Sequence, residues 1–260
     1  MSGHANRVIV NSIPKSGTYL VGLILSFLGV REVGLHLRDQ HFWDWNKATD
    51  LDHVIRDPDA YMAKLSDGQE LPHFDSGFVY AHFNTTETAR AYISSLKPCC
   101  HIFCVRDLRD CLVSSCRFEA QRAAINGKPE TLAALDNEPR QTFLHLIRTR
   151  GPQFLNAAAR QAGWAGHPGV SLARFEIVAG QRGADAFGHW LEELGSRLDL
   201  NVGDIDAAAM LTRAMGTKTR TRSGAQRSAW QNYWSEDADA LFEQFGGPAI
   251  NRRIGYGCDA

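Results

Sequence analysis

From Arg7 to Ile13 the chain reads RVIVNSI, with Val8, Ile9, Val10 and Ile13 apolar. An apolar run without alternation suits a parallel strand covered on both faces. Ser16 to Leu28 then takes up helical spacing and predicts the helix that follows it. Further on, FVYAHFNT predicts a second strand with its loop, a helix lies near Glu87 to Leu96, and HIFCV from His101 to Val105 predicts a strong strand. In RDLRDCLVSSCRFEAQRAA, Leu112, Val113, Cys116 and Ala120 fall on or near one helical face. Leu132 to Ala162 reads as helical throughout, GVSLARFEIV as a strand, DAFGHWLEELGSRL as a helix, and Asp237 to Phe245 as a terminal helix. Val33 to Phe78 has no clear period and carries turn signals at RDPD and SDGQELP.

Strands alternating with helices predict an α/β fold, a central mostly parallel β-sheet flanked by helices with a P-loop-like strand-loop-helix at the N-terminus. No repeat or linker divides the chain, so residues 1–260 read as a single domain, and 44% hydrophobic residues suffice for one core. A net charge of −1 supplies no global field for nucleic acid or an anionic membrane, so a basic site must be local. The longest uncharged apolar run, Tyr19 to Val30, falls well short of the roughly 20 residues a membrane span requires. Pro14 and Lys15 interrupt the only candidate core of a secretion signal. Six cysteines without a C-x-x-C pair suit buried thiols in a reducing cytoplasm, and the histidine spacings match no metal signature, so no metal is expected.

Between the first strand and helix lies PKSGTYL, at Pro14 to Leu20. A turn there aims backbone N–H groups and the positive end of the helix dipole at whatever sits in front. Gly17 admits a close approach, and Ser16 and Thr18 add hydroxyls. Lys15 precedes the glycine, and no Gly-Lys-Ser/Thr ending is present to hold Mg²⁺. The alternative is an ordinary turn with an exposed lysine. In CVRDLRDCLVSS, Arg106 ends a buried strand and Ser114 lies in the next helix. Ligands of an open parallel sheet bind beyond the carboxyl ends of its strands. A guanidinium there can grip a phosphate bidentately while the hydroxyl reaches it from the side. Arg106 could instead pair with Asp107 or Asp110, leaving Arg109 to bind.

PKSGTYL together with VRDLRDCLVSS resembles the two nucleotide-binding signatures of sulfotransferases that use 3′-phosphoadenosine 5′-phosphosulfate (PAPS). The resemblance runs from Arg7 to about Phe245. It implies that Lys15 faces the bridging oxygen of the phosphosulfate, that Ser16, Gly17, Thr18 and Tyr19 cradle the 5′-phosphate, and that Arg106 and Ser114 hold the 3′-phosphate. Tyr19 and Leu20 depart from the family's Thr and Trp, so adenine must stack elsewhere, with Phe175 a candidate. Between Asp206 and Glu236 stand five cations and no acid; there RSGAQRSAWQNYW resembles a late family segment closing on the 3′-phosphate, with Arg222, Ser223 and Gly224 in its Arg-Lys-Gly positions. YAHFNTT resembles the region of the family's catalytic base, which implies that role for His82. Its imidazole accepts a proton at neutral pH. Asp75 and Glu87 are the fallback bases.

The expected activity is metal-free, in-line sulfuryl transfer from PAPS to a hydroxyl or amine acceptor, releasing adenosine 3′,5′-bisphosphate (PAP). The alternatives are a P-loop-type nucleotide-dependent kinase and a member that binds PAP or PAPS without catalysis. Partners are a small-molecule or carbohydrate acceptor, with no nucleic acid, no membrane span and a homo-oligomer left open; the location is cytoplasmic. Val33 to Phe78, with Phe42, Trp43, Trp45 and nine acids against four bases, is expected to build much of the acceptor pocket.

Overall fold

The structure is a computed structural model that describes residues 7–39, 41–44, 46, 70–217 and 229–257. At its centre six strands form one sheet in the order β3-β2-β4-β1-β5-β6. They are β1 (Arg7–Ser12), β2 (Glu32–Arg38), β3 (His41–Asp44), β4 (Gly77–Ala81), β5 (Cys99–Val105) and β6 (Val170–Arg174). All neighbouring pairs run parallel except β2 with β3. Around them lie α1 (Thr18–Phe27), α2 (Glu87–Ser95), α3 (Leu108–Ile125), α4 (Glu130–Asn137), α5 (Pro139–Gln161), α6 (Phe175–Val178), α7 (Ala184–Leu198), α8 (Ala207–Gly216), α9 (Glu236–Gln244) and α10 (Gly247–Arg253).

The unbroken apolar run of β1 feeds two cores because successive side chains of a strand point to opposite faces. Val8 and Val10 join Val21, Ile24 and Leu25 of α1 and Phe187, Leu191 and Leu194 of α7. Ile9 and Ile13 join Leu112 and Cys116 of α3, Phe143 and Ile147 of α5 and Phe242 of α9. Val8, Ile9, Val10 and Ile13 are fully buried, each worth roughly 1.5–3 kcal/mol.

The register aligns the strand ends. Asn11 of β1 lies beside Ala81 of β4 and Phe103 of β5, and Cys104 beside Ala173 of β6. The segments that leave β1, β4, β5 and β6 therefore emerge along one edge, which is where ligands of a parallel sheet bind.

Several elements differ from the sequence reading. The stretch without period holds β2 and β3, and a buried His36 in the middle of β2 hides its apolar pattern. The predicted strand GVSLARFEIV ends at Arg174, and FEIV forms the single turn of α6. Residues 132–162 are broken at Glu138, because a residue before proline is pushed out of helical conformation. Inside the basic segment lies α8, capped by Asp206 accepting from the Ala209 amide. No described helix is long and apolar enough to cross a membrane.

Candidate active site

The loop after β1 is held in shape by Ser16. Its buried hydroxyl lies 2.7 Å from the Ile13 carbonyl and 2.8 Å from that of Cys104, and its amide donates to Ile13. Ser16 thus spends its donors on fastening the loop to β5. Lys15 and Gly17 both adopt positive φ, 71° and 100°. That alternation turns successive amides toward one point, an arrangement suited to anions. Helix α1 starts at Gly17 without a side-chain cap and without an acid in its first turn. Among the described residues, the amides of Lys15, Gly17 and Thr18 make no hydrogen bond. These orphan donors and the helix dipole together favour a negative group.

Lys15 is half-buried, with Nζ 3.6 Å from the centroid of the Phe118 ring on α3. Burial pulls its pKa down to about 8; Glu119 and Cys111 oppose the shift and Arg122 adds to it.

Arg106 leaves β5 as a buried side chain. Its Nη2 lies 3.3 Å from Asp110 Oδ2, and its guanidinium stands 4.0 Å over the Phe175 ring. The same ring closes on the loop, since a Cβ added to Gly17 would fall 2.8 Å from Phe175 Cδ2. Arg106 and the loop therefore share Phe175 as a common wall. One face of that ring is taken by Arg106, which leaves at most the other for a planar ligand.

Burial raises the pKa of Asp110, with Arg106 and the Trp230 amide acting in the opposite sense. Arg109 is otherwise engaged: its Nε donates to Asp107 at 3.0 Å, and its guanidinium stacks on Trp230 at 4.0 Å. It faces a depression of about 450 Å³ shared with Trp230, Trp234 and Asp239, apart from the loop. Of the two arginines, Arg106 is the one beside the loop. Ser114 is half-buried on α3, one turn before Phe118, and its hydroxyl makes no hydrogen bond among the described residues.

His82 follows β4 directly. Its Nδ1 lies 2.9 Å from the Ser12 carbonyl and 3.0 Å from Ser12 Oγ, at the end of the neighbouring strand β1. Burial lowers its pKa to about 4; the Ser12 hydrogen bond opposes this, and the charges of Arg38 and Lys15 add to it. The ring is neutral at physiological pH, and Nε2 makes no hydrogen bond among the described residues. Its loop is clamped: Asn11 accepts from the Phe83 amide, Asp39 accepts from the Asn84 amide and side chain, and Trp164 donates to the Phe83 carbonyl. Asp75 precedes β4 and so belongs to the opposite end of the sheet, and Glu87 opens α2 as an exposed residue.

No protein-family model and no curated protein sequence matches this chain. Among solved structures, mouse sulfotransferase SULT7A1 complexed with PAP aligns over 96% of this chain and 84% of its own, with a TM-score of 0.55 and 15% identity. This is the sulfotransferase fold. Retinol dehydratase, in complex with androsterone and the inactive cofactor PAP, aligns over 97% of this chain and 81% of its own, at 16% identity with a TM-score of 0.44.

Within this sulfotransferase fold, Lys15, Gly17, Thr18, Arg106 and His82 come to one sheet edge. The Tyr19 ring turns toward Tyr80 at 4.8 Å and His36 at 6.3 Å, so it belongs to an aromatic group next to His82. Trp43 joins that group through His36 at 4.9 Å, while Phe42 is buried in the core. Arg222, Ser223, Gly224 and Trp45 lie outside the described residues. Sequence reasoning missed Asn11, Ser12 and Phe118 as members of the site, whereas the pairing of Arg106 with Asp110 was one of its alternatives. The polar pair Asn-Ser ending an otherwise apolar strand was the available signal for the first two.

Proposed function

We propose that the chain is a sulfotransferase that moves a sulfuryl group from PAPS to a hydroxyl or amine acceptor and releases PAP. The convergence of uncommitted loop amides, Lys15, Arg106 and a neutral His82 on one edge is the observation that supports this reading. A nucleotide with two separated phosphates fits that donor set. The amides of Lys15, Gly17 and Thr18 would hold the 5′-phosphate, with Tyr19 at the helix start beside them. Ser16 serves by fixing the loop's shape. Arg106 and Ser114 would hold the 3′-phosphate, and Arg222, Ser223 and Gly224 are assigned to the same grip.

PAPS supplies an activated sulfuryl group when bound. Lys15 and the loop amides would stabilise the negative charge that grows on the phosphate oxygen as its bond to sulfur breaks. Donors aimed at such a charge are typically worth several kcal/mol. His82, bare at Nε2, would take the acceptor's proton as the new oxygen–sulfur bond forms. The protein's task is positioning and electrostatics, by analogy with phosphoryl transfer.

The test is incubation with labelled PAPS and a panel of phenols, alcohols, amines and sugars, read by mass shift. Transfer to any acceptor with release of PAP is expected. Stabilisation by ATP with Mg²⁺ but not by PAP in a thermal-shift assay would sink the reading in favour of a kinase. Tight PAP binding without transfer would leave a binding protein.

A further inference from the structure

We infer that Ser12 is a positioning residue that links the base to the anion cradle through a one-way chain of hydrogen bonds, His82 donating to Ser12 and Ser12 to Thr18. The inference rests on reading the loop as the cradle and His82 as the base. Ser12 Oγ lies 2.6 Å from Thr18 Oγ1 and 3.0 Å from His82 Nδ1. Ser12 is fully buried and Thr18 nearly so. One small hydroxyl therefore bridges the first residue of α1 and the imidazole that follows β4.

The direction of the imidazole bond follows from counting protons, and that of the hydroxyl bond from the anion. His82 Nδ1 is 2.9 Å from the Ser12 carbonyl oxygen, which can only accept. A bare Nδ1 would set two lone pairs against each other, so Nδ1 carries the proton and Nε2 is bare. That is the tautomer a general base needs. Ser12 Oγ cannot donate to that N–H, and its other neighbour is Thr18 Oγ1, so once an anion accepts the Thr18 proton Ser12 is the donor of the bond between the two hydroxyls. Thr18 in turn points its proton away from Ser12, where an anion at the helix start can accept it.

An anion in the cradle thus favours the sense Nδ1–H to Ser12, Ser12 O–H to Thr18, Thr18 O–H to anion, in which each bond polarises the next. The reverse sense takes the Thr18 donor from the anion and sets the Ser12 carbonyl against a bare Nδ1. Loading the cradle and readying the base become one event.

The spacing is built in rather than incidental. Asn11 Oδ1 accepts from the Ser12 amide at 3.0 Å and from the Phe83 amide at 2.9 Å, tying the two strand ends together on either side of the imidazole. Among the described residues, the His36 ring of β2 lies 4.9 Å from the imidazole, and the charges of Arg38 of β2 and Lys15 of the loop act on it. None of them offers the Nδ1 side a hydrogen bond among the described residues.

The experiment is ¹⁵N NMR of histidine-labelled protein with and without PAP, alongside steady-state kinetics. In the wild type, His82 should show the Nδ1–H tautomer, and its ring signals should move when PAP binds. Ser12→Ala keeps the backbone carbonyl, so it should keep the tautomer but lose most of that response. PAP affinity should change by less than about threefold, since Ser12 does not touch the anion. Turnover should fall roughly 10-fold or more at unchanged KM for PAPS, and Ser12→Thr should recover it.

An Nε2–H tautomer in the wild type overturns the inference, as does an alanine variant with the wild-type response to PAP. Should Ser12→Ala fail to fold by circular dichroism, the wild-type ring signals with and without PAP still decide. A protein that shows the ring response yet transfers nothing sinks the sulfotransferase reading and leaves the hydrogen-bond chain standing. Transfer at an undiminished rate by Ser12→Ala sinks the chain alone.

Discussion

The ammonium of Lys15 lies 3.6 Å from the centre of the Phe118 ring, and the Arg122 guanidinium lies 5.9 Å from the same ring. A cation over an aromatic face gains about 0.5–2 kcal/mol, depending on its exposure to water. That holds the charge beside the loop without neutralising it, as a carboxylate would. A phosphate in the cradle competes against a weak partner, so the lysine is available at small cost. Ser114 lies one turn before Phe118 on α3, so the same helix carries both the ring that holds Lys15 and the hydroxyl proposed for the second phosphate.

The first prediction concerns pH. Under the proposed mechanism His82 works neutral and Lys15 works charged. Their pKa values of about 4 and about 8 set the two limbs of kcat/KM, which reports the free enzyme. Activity should fall as pH drops through about 4, where His82 gains its proton. It should fall again as pH rises through about 8, where Lys15 loses its own. Lys15→Arg should abolish the basic limb, because a guanidinium stays charged. Lys15→Ala and His82→Ala should each lower turnover by at least ~10²-fold while the fold survives. A basic limb that persists in Lys15→Arg would assign it to another group.

A second prediction tests Gly17. Its φ of 100° is a conformation that side chains resist, and an added Cβ would meet Phe175 at 2.8 Å. Gly17→Ala should destabilise the fold by roughly 1–2 kcal/mol from backbone strain alone. It should weaken PAP binding further, because displacing Phe175 disturbs the surface on which Arg106 rests. Calorimetry with PAP and urea unfolding of the same variant measure both. Wild-type affinity would show that Phe175 does not form the wall between loop and arginine.

Much of this architecture was legible in local pattern. The unbroken run of β1, the glycine two residues after Lys15 and the arginine just past β5 announce themselves within a few residues. What was not legible depends on register between distant segments. Val10 sits beside Tyr80, which brings the end of β1 to His82, and nothing near either residue encodes that pairing. Strand β2 was hidden by the buried, polar His36 within it. Helical spacing in α3 showed that one face was apolar but not what lies opposite, so the meeting of Phe118 with Lys15 was invisible. The local signal for helix α8 is Asp206 before AAAMLTRAM, a cap ahead of good helix formers, set within a segment whose other conspicuous feature is its positive charge.

The third prediction addresses Arg106. Truncating it alone would strand Asp110, a buried carboxylate 3.3 Å away, and confound binding with loss of stability. Arg106→Ala combined with Asp110→Asn avoids that. The pair should fold and bind PAP about 10- to 100-fold more weakly, the usual worth of hydrogen bonds to a charged group. Arg106→Lys should recover only part of the loss, since an ammonium cannot stack flat on Phe175 and grip a phosphate with two parallel bonds. Unchanged affinity in the double variant would remove Arg106 from the site.

The fourth prediction concerns Asn251, distant in sequence yet set at the start of α3. Its Oδ1 accepts from the Leu108 amide at 3.0 Å and its Nδ2 donates to Asp107 Oδ1 at 3.1 Å. Asp107 caps α3 by accepting from the Arg109 amide and also holds the Arg109 side chain, so one buried amide stabilises both the cap and its carboxylate. Asn251→Ala leaves the buried Leu108 amide without its partner and should cost about 1–3 kcal/mol, read as a lower urea midpoint. Asn251→Asp should be worse, because it sets a second carboxylate against Asp107 and removes the donor. Since Arg106 immediately precedes the cap, both variants should also weaken PAP binding. A stability change within about 0.5 kcal/mol for both, the range of neutral changes, would show that Asn251 does not hold the start of α3.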